Sequence, residues 1–182
     1  MIKYMIIAVV ILLVLWLIGT YNKLVGLRNR VRNQWSQVDV QLKRRFDLIP
    51  NLVETVKGFA THEKELLENV TANRSGYANA SSNREKMLLN NQLTANLRSL
   101  FAVVENYPDL KANTNFLRLQ EELSETEDKI AYARQFYNDA VTIYNDKIQM
   151  FPGNMVAGIF GFREEELFNT VEDAKEAPKV QF

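Results

Sequence analysis

Across the eighteen positions from Tyr4 to Tyr21, Y-M-I-I-A-V-V-I-L-L-V-L-W-L-I-G-T-Y, no side chain is charged. A helix apolar on every side has no face to offer water and must be covered by protein or lipid. At about 1.5 Å of rise per residue the segment spans about 27 Å, close to the roughly 30 Å of a bilayer hydrocarbon core. Tyr4, Trp16 and Tyr21 lie toward its ends, where amphipathic rings favour the membrane interface, and Lys3 can snorkel outward. A cleaved secretory signal would carry a shorter apolar region of about 7–15 residues before a small-x-small site. Leu17-Ile18-Gly19-Thr20 offers no such site. The segment is expected to remain as a transmembrane anchor. The chain has no cysteine, so a lipidated cysteine is not available as an alternative anchor. Disulfides, thiolate metal sites, iron–sulfur clusters and a cysteine nucleophile are excluded with it.

The formal net charge of zero conceals opposed blocks. From Asn22 to Phe46 seven Lys and Arg stand against one acid, Asp39, whereas from Glu105 to Asp128 seven acids stand against Lys111 and Arg118. Lys and Arg near a membrane segment favour the cytoplasmic side. Lys23, Arg28, Arg30 and Arg32 outweigh Lys3, which predicts an outside N-terminus and a cytoplasmic body. Those four side chains are placed for anionic lipid headgroups. Lys43, Arg44 and Arg45 fall about 30 Å further along a straight helix, several Debye lengths from the lipid. They are expected to meet acids of a neighbouring helix or subunit, or a partner. No aromatic residues interleave with the basic triplet, so nucleic acid is not an expected ligand.

Beyond the anchor the apolar pattern is helical. Leu24, Leu27, Val31, Trp35, Val38, Leu42, Phe46 and Ile49 recur in steps of three and four, the mark of an amphipathic helix. Pro50 removes a backbone donor and clashes with the carbonyl of Phe46, which predicts a helix end or kink there. Asp47 would cap a second helix carrying Leu52, Val53, Val56, Phe59, Ala60, Leu66, Leu67 and Val70. One kinked helix is the alternative, because Leu42, Phe46, Ile49, Val53, Val56 and Ala60 stay in phase across the proline. Thr71 to Asn83 is small and polar and reads as an exposed loop. A third helix follows with Met87, Leu88, Leu93, Leu97, Leu100, Phe101 and Val104, then a turn at Asn106-Tyr107-Pro108-Asp109. The fourth carries Phe116, Leu119, Leu123, Thr126, Ile130, Ala133, Tyr137, Ala140 and Tyr144, with Phe136 and Ile143 widening the face, and ends at Phe151-Pro152-Gly153. No segment alternates with the period of a strand. All four prolines, Pro50, Pro108, Pro152 and Pro178, are read as marking helix ends or the tail.

The expected fold class is all-α. The N-terminal transmembrane helix would continue into an up-and-down antiparallel four-helix bundle of long helices. The expected organisation is an anchor at 1–21, a bundle at 22–150, an apolar segment at 151–168 and a flexible acidic tail at 169–182. Val156 to Phe162 would either touch the bilayer or cover the bundle end.

Catalytic chemistry is sparsely signalled. His62-Glu63 begins like a zinc-protease motif, but position 66 is Leu, and one histidine supplies no metal cluster. Glu121, Glu122 and Glu125 crowd the fourth helix, where Glu125 can pair with Lys129. A hydrolase using such clustered carboxylates is the alternative to a non-enzymatic protein. No phosphate loop, nucleophile elbow or dinucleotide fingerprint occurs. No cofactor is expected.

Three stretches carry a resemblance. Trp35-Ser36-Gln37-Val38-Asp39-Val40-Gln41-Leu42-Lys43-Arg44-Arg45 is followed by Asp47-Leu48-Ile49-Pro50-Asn51-Leu52-Val53. Glu105-Asn106-Tyr107-Pro108-Asp109-Leu110-Lys111-Ala112-Asn113 and Ala131-Tyr132-Ala133-Arg134-Gln135-Phe136-Tyr137-Asn138-Asp139-Ala140-Val141 are the others, with Tyr144-Asn145, Phe151-Pro152 and Phe160-Gly161-Phe162 completing the set. The chain from Tyr21 to Phe168 resembles the LemA family, although Thr71 to Glu85 carries no family motif. The resemblance implies a bacterial protein of the plasma (inner) membrane with one N-terminal membrane helix and a four-helix body. It also implies no assigned enzyme activity, no catalytic residues, and a loose association with membrane peptidases and envelope quality control. The expected function is a membrane-anchored scaffold or adaptor that contacts the lipid bilayer and other membrane proteins or itself as a homo-oligomer. Lys43, Arg44, Arg45, Glu121, Glu122, Glu125, Phe160 and Phe162 are the expected partner or oligomer contacts.

Overall fold

The computed structural model describes residues 1–60 and 62–169. The expected acidic tail, with Pro178, lies outside the described residues beyond Asn169. Within them every regular element is a helix: α1 (Ile2–Lys57), α2 (Lys64–Asn79), α3 (Asn83–Val104), α4 (Pro108–Lys111), α5 (Thr114–Gln149) and α6 (Gly153–Phe160). The chain is all-α, as its periodicities predict. The described residues divide into two compact units, one of residues 1–37 and 133–167, the other built on residues 38–132 with 168–169. Both α1 and α5 contribute to each.

In the first unit the residues of α1 from Ile2 to Trp16 are all exposed. An 18-residue window there has mean hydropathy 2.6 and is 0% buried. That segment is long and apolar enough to cross a bilayer, and unlike a soluble protein's core helix it is not covered by the protein. Past Asn22 the same helix turns a buried stripe of Leu24, Val31 and Trp35 toward the protein. Trp35 meets the buried Tyr137 of α5 edge-on, with ring centroids 5.3 Å apart. After α6, residues 162–167 run back antiparallel to α5 without regular structure and are tied by side chains. The Tyr144 hydroxyl donates to the Arg163 carbonyl at 2.9 Å, and the Tyr137 hydroxyl to that of Glu166 at 2.9 Å. The Asn145 amide donates to the Glu165 carbonyl at 2.9 Å and accepts the Glu165 N–H at 3.0 Å, standing in for a strand partner.

In the second unit α1 continues through Pro50 to Lys57, so of the two expected alternatives, a helix end at Asp47–Pro50 or one helix running through the proline, the second is realised. An internal proline costs about 3 kcal/mol. The buried Phe46, Ile49, Leu52, Val53 and Val56 each return about 1.5–3 kcal/mol on one uninterrupted face. The break falls instead at Gly58-Phe59-Ala60, where the N–H groups of Phe59 and Ala60 both turn back to the Val56 carbonyl at 3.0 and 2.9 Å. The expected loop from Thr71 to Asn83 is corrected as well, since α2 runs to Asn79. Its polar side chains are absorbed by the helix itself: Thr71, Ser75 and Asn79 each donate to the carbonyl four residues back. Its small residues serve contact, because a Cβ on Gly76 would come within 2.9 Å of a Leu89 methyl of α3. Helix α3 opens with a capping box at Ser82 and Glu85. Hydrogen bonds from Ser81 and Ser82 hold the Glu85 carboxyl below the usual carboxylate range. The Asn113 side chain caps α5 by accepting the N–H of Asn115 and Phe116 at 3.0 and 3.1 Å.

The predicted seam of α5 is buried at Phe116, Leu119, Leu123, Thr126, Ile130, Tyr137, Ala140 and Tyr144. Phe136 and Ile143, expected to widen that face, are instead 59% and 45% exposed. They lie one residue off the seam, beyond the reach of the neighbouring elements.

Candidate functional site

Two clusters gather the polar and aromatic residues singled out by the sequence. The first lies in the unit holding the anchor. Tyr4 and Trp16 are exposed along the apolar length of α1, and Tyr21 closes it. The Tyr21 ring packs on Phe160 at 4.8 Å between centroids and on Phe162 at 5.7 Å edge-on. About two turns further along α1, the Arg28 guanidinium stands 5.0 Å from the Phe162 ring centre, a cation–π arrangement. Lys23, Arg30 and Arg32 are exposed and Arg28 half-buried. The positive potential of this collar is felt inward: burial pushes the Tyr144 phenol above its ordinary pKa, Glu165 adds to that, and Arg28 and Arg32 oppose it. The collar thus joins aromatic rings to fixed positive charge where the uncharged segment ends, the composition of a membrane–water boundary.

The second cluster lies in the other unit and is centred on Arg45. Its side chain is only 5% exposed and is engaged through its two terminal nitrogens. The guanidinium donates to Asn90 Oδ1 at 2.8 Å and Thr94 Oγ1 at 2.9 Å, and pairs with Glu127 at 2.9 Å. It therefore joins α1 to α3 and α5. Burial lowers the Arg45 pKa and Glu127 offsets part of that effect. Nearby on α1, the Asp39 carboxylate accepts the Tyr77 hydroxyl at 2.8 Å and the Lys86 ammonium at 2.6 Å, joining α1 to α2 and α3. Phe46 stacks on the Tyr77 ring at 4.1 Å. Burial, then the bond to Asp39, raises the Tyr77 pKa, so the phenol stays a donor. A cavity of about 310 Å³ opens beside this group, with Lys43, Asp47 and Arg74 at its walls. A larger recess of about 670 Å³ lies between the end of α1 and α2, lined by Ala60, Leu67 and Ala72 with Lys57 and Lys64.

The sequence-predicted contacts separate accordingly. Arg45 is buried, whereas Lys43 and Arg44 are exposed. Glu122 pairs with Arg118 and Glu125 with Lys129, both at 3.3 Å along their own helix, and Glu121 is exposed. The acid that meets the basic triplet is Glu127. Asn90, Thr94, Tyr77 and Lys86 were missed, because nothing local in the sequence distinguishes them from ordinary helix-surface residues. Among the described residues no three His, Asp or Glu side chains converge to hold a metal ion.

Among the described residues the fold and the collar define a helical membrane protein with one helix long and apolar enough to cross a bilayer. The sequence profile of the LemA family matches residues 34–182, and the chain belongs to that family. It is 30% identical to Protein LemA of Metamycoplasma hominis over 77% of this chain and 64% of that protein. It is 28% identical to Magnetosome protein MamQ 2 of Paramagnetospirillum magneticum over 84% of this chain and 65% of the relative. Against Magnetosome protein MamQ of Magnetospirillum gryphiswaldense the identity is 24% over 84% and 66%. The chain spans just under two thirds of the length of the curated relatives it matches.

Proposed function

We propose that the protein is a non-enzymatic, membrane-anchored scaffold or adaptor of the bacterial inner membrane, with its N-terminus outside and its body in the cytoplasm. The observation that carries this reading is the continuity of α1: one helix of 56 residues joins the uncovered apolar segment to the buried stripe of the body. The polar signature residues support the same reading, since Asp39 and Arg45 make hydrogen bonds that join helices. The names of the relatives describe no reaction. Partner contact falls to the exposed charges of the second unit, Lys43 and Arg44 on α1 and Glu121 and Glu125 on α5. Self-assembly by pairing these opposite charges between copies, and service in envelope quality control, are the two forms this role takes.

Photoreactive groups placed at Lys43 and Glu121 in living cells test the proposal. Adducts to a second copy or to a reproducible foreign protein are expected. Adducts confined to the same chain at both positions would contradict it.

A further inference from the structure

The helix that follows α5 has an apolar face that the protein leaves uncovered. From Ile148 to Phe162 the sequence carries no charged residue. On α6 the inward face, Gly153, Val156 and Ala157, is buried against the unit that holds the anchor. Met155 is 58% and Ile159 70% exposed on the outward face, and Phe151, just before the helix, is 78% exposed. For this segment the sequence leaves two expectations, contact with the bilayer or cover for the bundle end. A helix apolar on both sides is at rest only when a second apolar phase meets the outer one.

The position of α6 says which phase. Phe160, its last residue, packs on Tyr21 at 4.8 Å, and Tyr21 is the final residue of the uncharged segment. A bilayer that accommodates Tyr4 to Tyr21 has its boundary at the level of Tyr21, so α6 ends where acyl chains give way to headgroups. Cations border that level: Arg28 over the Phe162 ring, and Lys23, Arg30 and Arg163 exposed beside it. They suit phosphate headgroups around an inserted apolar helix. Gly161, at φ +70°, ends α6 in the left-handed conformation and turns the chain back toward α5.

We infer that α6 is an interfacial helix that seats Met155 and Ile159 in the leaflet entered by α1. The membrane thereby holds the protein at two points, one spanning and one lying in the interface. This inference rests on the reading of α1 as a membrane anchor.

Single cysteines in a chain that has none allow a clean test. An environment-sensitive dye is attached in turn at Ile11→Cys, Ile159→Cys and Glu164→Cys in the full chain, reconstituted in vesicles of phosphatidylethanolamine and phosphatidylglycerol. Nitroxide-labelled lipids then report depth. The dye at residue 159 should shift to the blue and be quenched most by shallow nitroxides, at about 5–10 Å below the headgroups. The dye at residue 11 should be quenched most by deep nitroxides, and that at residue 164 by neither. Quenching at 11 without quenching at 159 overturns the inference and leaves the anchor standing. Absence of quenching at both removes the anchor reading itself. Burial of the dye at 159 that is insensitive to nitroxide lipids and disappears on dilution with lipid assigns the face to a second copy, and also overturns the inference.

Discussion

Replacing Arg45 with alanine is expected to lower the unfolding free energy by about 3 kcal/mol, which for a chain of this size is about 6–12 °C in the unfolding midpoint. The guanidinium serves three acceptors on two other helices, Asn90 and Thr94 of α3 and Glu127 of α5. Truncation leaves Asn90, itself 3% exposed, without its donor, and opens a cavity beside Leu42 and Ile49. The value sits at the lower end for a buried charge because the Glu127 side chain is 47% exposed and can turn to water. Arg45→Lys should fall between, since an ammonium lacks the planar fork that reaches three partners. Glu127→Gln should cost less than either. Thermal unfolding of the full chain in lipid discs, followed by helical circular dichroism, reads all three. A change within about 0.5 kcal/mol for Arg45→Ala, the range of ordinary surface substitutions, would contradict the account of this cluster.

Gly153→Ala is the second large effect. A Cβ there would lie 2.2 Å from the Lys147 carbonyl oxygen, a backbone atom that cannot swing aside. Relief requires opening the connection between α5 and α6, at a cost of about 3 kcal/mol or more. Gly158→Ala on the same short helix is the control, because its Cβ would meet nothing within 4 Å. That change should be neutral or stabilise by about 0.5–1 kcal/mol through helix propensity. Hydrogen exchange at Val156 and Ala157 separates the two: fast exchange is expected only in the Gly153 variant. Equal behaviour would show that the tight turn is not what holds α6.

How far the sequence anticipates this molecule depends on whether a feature is written in one element or between two. The uncharged run and the stripe from Leu24 to Ile49 are properties of single helices, and both are realised. So is the seam of α5 from Phe116 to Tyr144. Pro50 misleads because local chemistry argues for a break, while the phase kept from Leu42 to Ala60 argues for continuity. The buried face prevails over one lost hydrogen bond. Thr71 to Asn79 misleads for a different reason. Small polar residues suit a loop, yet they also suit a helix whose hydroxyls bond its own carbonyls and whose glycine admits a neighbour's leucine. Only the position of α3 decides between them. The same limit governs the site: the basic triplet is visible at once, but Glu127, Asn90 and Thr94 become its partners through packing that brings residue 45 to residues 90 and 127.

The central claim is that Tyr4 to Tyr21 crosses the bilayer and leaves the body on the cytoplasmic side. Side-specific labelling of single cysteines tests it most directly, using a membrane-impermeant maleimide on spheroplasts that carry Ile2→Cys or Asn79→Cys. Residue 2 precedes the uncharged segment, and Asn79 is exposed at the end of α2. The account predicts that residue 2 reacts in intact spheroplasts and that residue 79 reacts only after lysis. Reaction of residue 79 in intact spheroplasts would contradict it.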